Sequence, residues 1–538
     1  MAEKSFGQSV AKGSAILLIA NLAVKIIGAL FKIPLQHLIG DEGMGYFNAA
    51  YNIYAGLFVV ATAGLPVAVS KMVSESMVTG NFKETKRIFR VAYAIFLLIG
   101  IVGSSALFLF ADEWAATTKF ANSNIAVMAI APSILFVSLM SVYRGFFQGM
   151  SNMIPTAVSE VVEAAGKLII GFLLAYLLIE RGLHIAATGA VLGVTTGSLL
   201  SLGVLICIYS GKKKIIYSEI DKSAQPSPVK TILKKLLAIA IPVTISASVF
   251  TLTNMIDTVL IGRNLESIQH LLSEDRVVLY GRYTGKAVVL FNMPPTLVMS
   301  LCLALVPAIA RAFVSGDKKT VRITTTQSLK SAYIFALPCA VGLFALAQPI
   351  LTILYGTNDA VTLLQLIAPA VVFVSMVLVT NSILQATGNV LVPVVNIFMG
   401  GVAKVVINSV LVSNPAININ GAPIGTTVCY FIYMFLNLVY IRKITKADIG
   451  FGFWARPLGA GVIMAVVAYF GYIFLSEITG DSLIMVLTCF VISGGVSVVA
   501  YLLTLISLGG ISKEDMMVLP KGNKIVDLFV KIKLMKKD

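Results

Sequence analysis

Long apolar runs, each closed by a polar or Gly/Pro-bearing break, follow one another along nearly the whole chain. A hydrocarbon core of about 30 Å takes about 20 apolar residues of helix to cross. Runs of that length are predicted at residues 9–36, 44–70, 88–110, 122–147, 154–180 and 184–210. Eight more are predicted at 232–262, 281–310, 327–355, 361–386, 391–413, 421–441, 455–476 and 482–508. The pattern predicts an all-α integral membrane protein with fourteen transmembrane helices, the longer runs tilting or extending beyond the lipid.

Composition agrees. With 58% apolar and 12% charged residues over 538 positions, and a mean hydropathy of +0.92, the chain lies outside the range of soluble domains. The net charge of +16 also has a membrane explanation. With a cytoplasmic N-terminus, 31 of the 41 Lys and Arg residues fall in inward segments and only 5 in outward ones, which predicts two cytoplasmic termini and an even number of spans. Basic loops against anionic lipid account for the charge without nucleic acid. The start "MAEKSFGQSVAKGS" shows no small-residue processing site, so the first run is expected to remain as a span. Cys207, Cys302, Cys339, Cys429 and Cys489 stand singly in apolar runs, which suggests no disulfide or metal framework, and no cofactor is expected. His37, His184 and His270 are scattered without a paired Asp, which disfavours a membrane-embedded transferase.

The chain also repeats itself. An offset of 237 residues sets Gln148, Asn152 and Lys167 of "QGMSNMIPTAVSEVVEAAGK" on Gln385, Asn389 and Lys404. Nearby offsets match Gly40 to Gly262, Gly45 to Gly281 and Pro66 to Pro307. Because the matches occur in order, two six-helix lobes in a parallel repeat are predicted, with two further helices after them. The expected divisions are a first lobe at 1–210, a basic cytoplasmic linker at 211–230, a second lobe at 231–441, the last two helices at 442–508 and a basic tail at 509–538.

Charges at bilayer depth cost about 2.5–3.5 kcal/mol on insertion scales and mark candidate function. Lys25 and Lys32, seven apart, share one helix face, and Arg282 and Lys286, four apart, share another. Left unpaired, such like charges would be relieved by a phosphate or pyrophosphate group; the structural alternative is snorkelling to the interfaces. Asp257 is either a local counter-ion or a coupling site. Glu160, Glu163 and Lys167 share a face, the acids either neutralising Lys167 or titrating during a cycle. Asn48, Tyr51, Asn254 and Asn292 could hold sugars.

With "KIIGALFKIPLQHLIG", "GLPVAVSK" and "QGMSNMIP", the arrangement resembles the polysaccharide-transporter branch of the multidrug, oligosaccharidyl-lipid and polysaccharide (MOP) exporter superfamily. Within it, the stage V sporulation protein B group and the MurJ-type lipid II flippases are similar over essentially the whole chain. The resemblance implies a V-shaped bundle whose cationic cavity takes the pyrophosphate and sugars of an undecaprenyl-linked precursor, with the lipid tail beside the last two helices. It places Lys25 and Lys32 in that cavity. Where the family carries an acid in the segment "YGRYTGKAVVLFNMPP", this chain has Asn292, and the base stands upstream at Lys286. The expected activity is outward flipping of such a lipid, lipid II foremost, by a monomer in the bacterial plasma membrane. Coupling would be to a cation or to the membrane potential, and the expected partners are membrane lipids and cell-wall synthesis proteins. The alternatives are another lipid-linked polysaccharide unit or a cation-coupled drug exporter.

Overall fold

The computed structural model describes the backbone of residues 2–216, 225–268, 270–480 and 482–510. Of the expected linker and tail, residues 217–224 and 511–538 lie outside the described residues. Every element among the described residues is helical. Contacts divide the chain into two compact units, Met1–Gly285 and Lys286–Asp538.

The first unit holds α1 (Ala2–Thr62), α2 (Gly64–Val78), α3 (Phe82–Leu109), α4 (Ala111–Thr118), α5 (Asn124–Gly149), α6 (Ile154–Leu178), α7 (Leu183–Ile216), α8 (Val229–Glu266) and α9 (Ser273–Arg282). A π-helical turn comes next, Tyr283–Ala287. The second unit holds α10 (Val288–Val314), α11 (Lys318–Ala345), α12 (Ala347–Tyr355), α13 (Val361–Ile367), α14 (Ala370–Ala386), α15 (Leu391–Leu411), α16 (Gly421–Thr445), α17 (Phe451–Thr479) and α18 (Leu483–Ser507).

Eleven segments among the described residues are long and apolar enough to cross a membrane. One of them, Ile19–Val78, covers two of the expected spans. Inside it α1 breaks at Gly40, whose φ of 66° is left-handed and whose ψ is −170°, a backbone that a side chain would strain. The expected spans at 232–262 and 281–310 are helical, as α8 and as α9 with α10, and are not among the eleven.

The repeat is visible in the turns. Ser151 (φ 57°) and Gly388 (φ 80°), 237 apart, both take the left-handed conformation before α6 and α15. Gly80 and Gly316 do the same before Asn81 and Asp317, whose side chains cap α3 and α11. Packing in the first unit nevertheless draws in helices that the repeat counts with the second half. Ile232, Leu236 and Ala240 of α8 are buried with Leu65, Val69, Phe89 and Phe146. Gly45 and Gly281, matched in the repeat, lie against each other where α1 meets α9: a Cβ on Gly281 would lie 2.6 Å from the Gly45 nitrogen.

Candidate functional site

Around one tyrosine ring of the first unit, α1 and α6 bring two lysines together. Lys32 Nζ lies 5.6 Å from the Tyr51 ring centroid and Lys167 Nζ lies 4.4 Å from it. Lys167 Nζ also stands 5.2 Å from the Phe31 centroid. The ring is held by its neighbours, stacked on Phe47 at 5.6 Å and tilted against Tyr54 at 5.7 Å. Such cation–π contacts contribute about 0.5–2 kcal/mol each, depending on desolvation. Working against them, two ammoniums at most about 10 Å apart repel by about 2 kcal/mol at an effective dielectric of about 20. Among the described residues, no carboxylate forms an ion pair with either lysine.

Asn48 completes the group. Its Oδ1 accepts from Lys32 Nζ at 3.5 Å, and its Nδ2, in a side chain only 3% exposed, has no partner. Two cations and an unsatisfied donor therefore converge where an anionic, oxygen-rich ligand would satisfy all three. Three expected contributors, Lys32, Asn48 and Tyr51, meet here, and Lys167 joins them from outside the expected set of binding residues.

The spacing on α6 put Glu160 and Glu163 on the face of Lys167, to neutralise it or to titrate during a cycle, and the ion pair that Glu163 makes is not with Lys167. Glu163 Oε2 accepts instead from Arg144 Nη2 of α5 at 2.9 Å. Arg144 also donates through Nε to Ser159 Oγ at 2.9 Å and through Nη2 to Ser201 Oγ at 3.4 Å, and Ser198 Oγ donates to Glu163 Oε1 at 3.5 Å. Beside this pair α7 approaches α6 closely, since a Cβ on Gly197 of α7 would lie 2.6 Å from the Glu163 carbonyl oxygen. Glu160, one turn earlier, keeps a buried Oε2 without a hydrogen-bond partner.

Both expected bases around the π turn have carboxylate partners. Arg282 Nε meets Asp41 Oδ2 at 3.2 Å, and Gln36 Nε2 donates to Asp41 Oδ1 at 2.6 Å. Lys286 Nζ, in a side chain 4% exposed, contacts Asp359 Oδ1 at 2.8 Å, Asp359 Oδ2 at 3.0 Å and Thr357 Oγ1 at 3.0 Å. Lys25 and Asn254 are exposed, Asn292 is exposed and donates to its own helix at Val288 O (2.9 Å), and Asp257 is buried on α8. Sequence spacing could not have found Asp41, Arg144 or Asp359, which reach their partners from other helices or loops. It also missed a buried cluster in which Asn52 Nδ2 donates to Thr258 Oγ1 (3.0 Å) and to Tyr280 OH (2.8 Å).

The second unit contains a cavity of about 900 Å³ beside the last two helices. Its walls are apolar, including Pro294, Pro338, Gly342, Met464 and Gly494, with Lys330 and Tyr501 among the few polar groups.

Residues 10–313 match the family model described as polysaccharide biosynthesis protein. The chain belongs to that family. Residues 287–410 also match the MatE family model. The chain is 25% identical over 463 residues to stage V sporulation protein B of Bacillus subtilis (strain 168), which covers 86% of this chain and 89% of the relative. It is likewise 25% identical over 452 residues to lipid II flippase MurJ of the same organism, covering 80% of this chain and 82% of the relative. A solved structure of lipid II flippase MurJ in an inward closed conformation matches the fold with a TM-score of 0.61 at 14% identity, over 90% of this chain and 97% of that one. The chain is thus a multi-span membrane protein of this family.

Proposed function

We propose that this chain flips a polyprenyl-pyrophosphate-linked glycan, with the peptidoglycan precursor lipid II as its cargo, outward across the bacterial plasma membrane by alternating access. The observation that carries the reading is the Lys32 and Lys167 pair over Tyr51, with the unsatisfied Asn48 donor beside it. A pyrophosphate supplies negative charge for the ammoniums and acceptor oxygens for the amide. The apolar cavity against α17 and α18 fits a long isoprenoid chain, which needs apolar walls and few polar ones. The similarity to the Bacillus subtilis lipid II flippase supports the same cargo class.

An inside-negative potential would favour outward movement of the anionic headgroup by about 2.3 kcal/mol per charge per 100 mV. A drug exporter for cationic compounds would place acids where Lys32 and Lys167 stand. The test is mass spectrometry of lipid copurified with the full chain. A polyprenyl-pyrophosphate glycan is the expected result, and enrichment of only ordinary phospholipids under conditions that retain bound lipid would overturn the reading.

A further inference from the structure

We propose that Gly342 and Gly494 are specificity-determining residues. They keep the apolar cavity of the second unit open beyond the depth of one leaflet, and so select a polyisoprenoid chain over the acyl chains of membrane phospholipid. The inference rests on the proposed function and deepens it, since it names the property of the cargo's lipid that this cavity reads.

The cavity is elongated. Its α11 wall is one stripe through Lys330, Ile334, Pro338, Gly342 and Leu346. At about 1.5 Å per residue that stripe rises about 24 Å. One leaflet's share of a hydrocarbon core of about 30 Å is about 15 Å. An acyl chain that enters at the Lys330 end therefore stops well short of Leu346, whereas a long polyisoprenoid chain fills the whole length. Lys330 and Ser331 place polar groups at one end of the stripe. Farther in, Tyr501 OH donates to Ile334 O at 2.9 Å and Ser497 Oγ donates to Gly494 O at 2.8 Å. Those hydroxyls are thus already satisfied, and the far part of the wall suits an apolar occupant.

The glycines lie in that far part. Gly in a helix interior is destabilising relative to Ala, and in membrane helices close packing commonly offsets the loss. Gly400 of α15 follows that rule, since a Cβ there would lie 2.6 Å from the Cys429 carbonyl oxygen of α16. Gly342 and Gly494 do not. Among the described residues outside its own stretch of helix, no heavy atom lies within 4 Å of a Cβ placed on Gly342. A Cβ on Gly494 would have Leu346 Cδ1 as its nearest neighbour, at 3.8 Å. Both glycines line the cavity, so what their missing side chains leave is volume inside it. Gly342 stands about 18 Å along α11 from Lys330, already past one leaflet's depth, and Gly494 lies beside Leu346 at the far end.

Cys339 lines the same stripe and reports its occupancy. The test follows alkylation of Cys339 by N-ethylmaleimide in the purified full chain, read by peptide mass spectrometry, as lipid is added to the micelles. The probes are undecaprenyl phosphate, the short-chain farnesyl phosphate and dioleoyl phosphatidylglycerol. Undecaprenyl phosphate is expected to half-protect Cys339 at a mole fraction about tenfold lower than either of the others. Gly494→Leu, which fills the far end, is expected to raise that mole fraction about tenfold and to leave the value for farnesyl phosphate unchanged. Equal half-protection by the three lipids in the parent would overturn the proposal, as would protection by phosphatidylglycerol alone, which would make the cavity a phospholipid site. A parental preference for undecaprenyl phosphate in folded Gly494→Leu would overturn it too. If that variant fails to fold, Gly342→Leu takes its place with the same expected shifts. Lipid copurification is a separate readout, so a polyprenyl-pyrophosphate glycan found together with equal protection by the three lipids would sink this inference and leave the proposed function standing.

Discussion

Two helix triplets, α5 to α7 in the first unit and α14 to α16 in the second, are tied together by polar networks at corresponding places in the repeat, and the two networks use different chemistry. The 237-residue offset sets Arg144 on Asn381, Ser159 on Asn396 and Glu163 on Gly400. In the first unit a guanidinium and a carboxylate form the centre, joined by serines. In the second, Asn437 Nδ2 donates to Thr380 Oγ1 and to Asn381 Oδ1, each at 2.9 Å. Asn396 Nδ2 donates to Asn437 Oδ1 at 2.8 Å and Tyr433 OH donates to Asn381 Oδ1 at 3.0 Å, so no ion takes part in these four bonds. The difference explains why the acid at Glu163 has no counterpart one repeat later: where Asn381 replaces Arg144, there is no guanidinium to neutralise. It also leaves Lys167 available to Tyr51 rather than tied to an acid on its own helix.

Substitutions can break this contrast in a graded way. The largest effect is expected from Arg144→Leu, which leaves Glu163 in a largely buried site without its partner. The cost is about 3 kcal/mol, near the low end for buried pairs because the side chains are 12% and 20% exposed. Thermal unfolding of the purified protein should show it as a clear drop in midpoint. Asn437→Leu should cost about 2 kcal/mol in the same measurement, because it removes the acceptor of Asn396 Nδ2 and one donor each to Thr380 and Asn381. Arg144→Gln combined with Glu163→Gln imitates the second unit's amide chemistry and should fall within about 1 kcal/mol of the parent, since removing both charges also removes their desolvation cost. A combined loss as large as that of Arg144→Leu would contradict the equivalence of the networks.

The smallest effect concerns the caps of α3 and α11. Asn81 Oδ1 accepts from the Glu84 amide and Asp317 Oδ1 from the Thr320 amide, each at 3.0 Å. The Thr320 hydrogen bonds hold the Asp317 carboxyl below its usual range. Its stabilising contribution is therefore present above the ordinary Asp pKa and is lost as pH falls through the lowered folded value. Hydrogen exchange at the start of α11 should quicken on such acidification relative to the start of α3, whose amide cap does not titrate. Equal responses at both ends would remove this distinction.

Much of the fold was legible because apolar run length and turn residues act locally. The break at Gly40 falls between the first two predicted spans, and the left-handed turns at Ser151 and Gly388 sit at the predicted offset. The site was legible only in part. Asn48 and Tyr51 lie three apart on one helix, Lys32 lies on the same stretch of chain across the break at Gly40, and the three do come together. Partners from other helices depend on how each helix is rotated against its neighbours. Glu163 therefore shares a face with Lys167 by spacing but forms its ion pair with Arg144, and the charges of Arg282 and Lys286 are met by Asp41 and Asp359. Same-helix spacing identifies which charges can meet within an element, and it does not rank them against a serine-lined guanidinium on the next helix.

The central claim is that Lys32 and Lys167 over Tyr51 hold the anionic head of a lipid-linked glycan. The most direct measurement is translocation of a fluorescent undecaprenyl-pyrophosphate glycan in vesicles reconstituted with the full chain or with its Lys32→Met, Lys167→Met double variant. Loss of two charge-assisted contacts, each contributing about 1.5–3 kcal/mol, predicts a fall in rate of at least about tenfold in a variant that still folds and inserts. A parental translocation rate in that variant would contradict the claim.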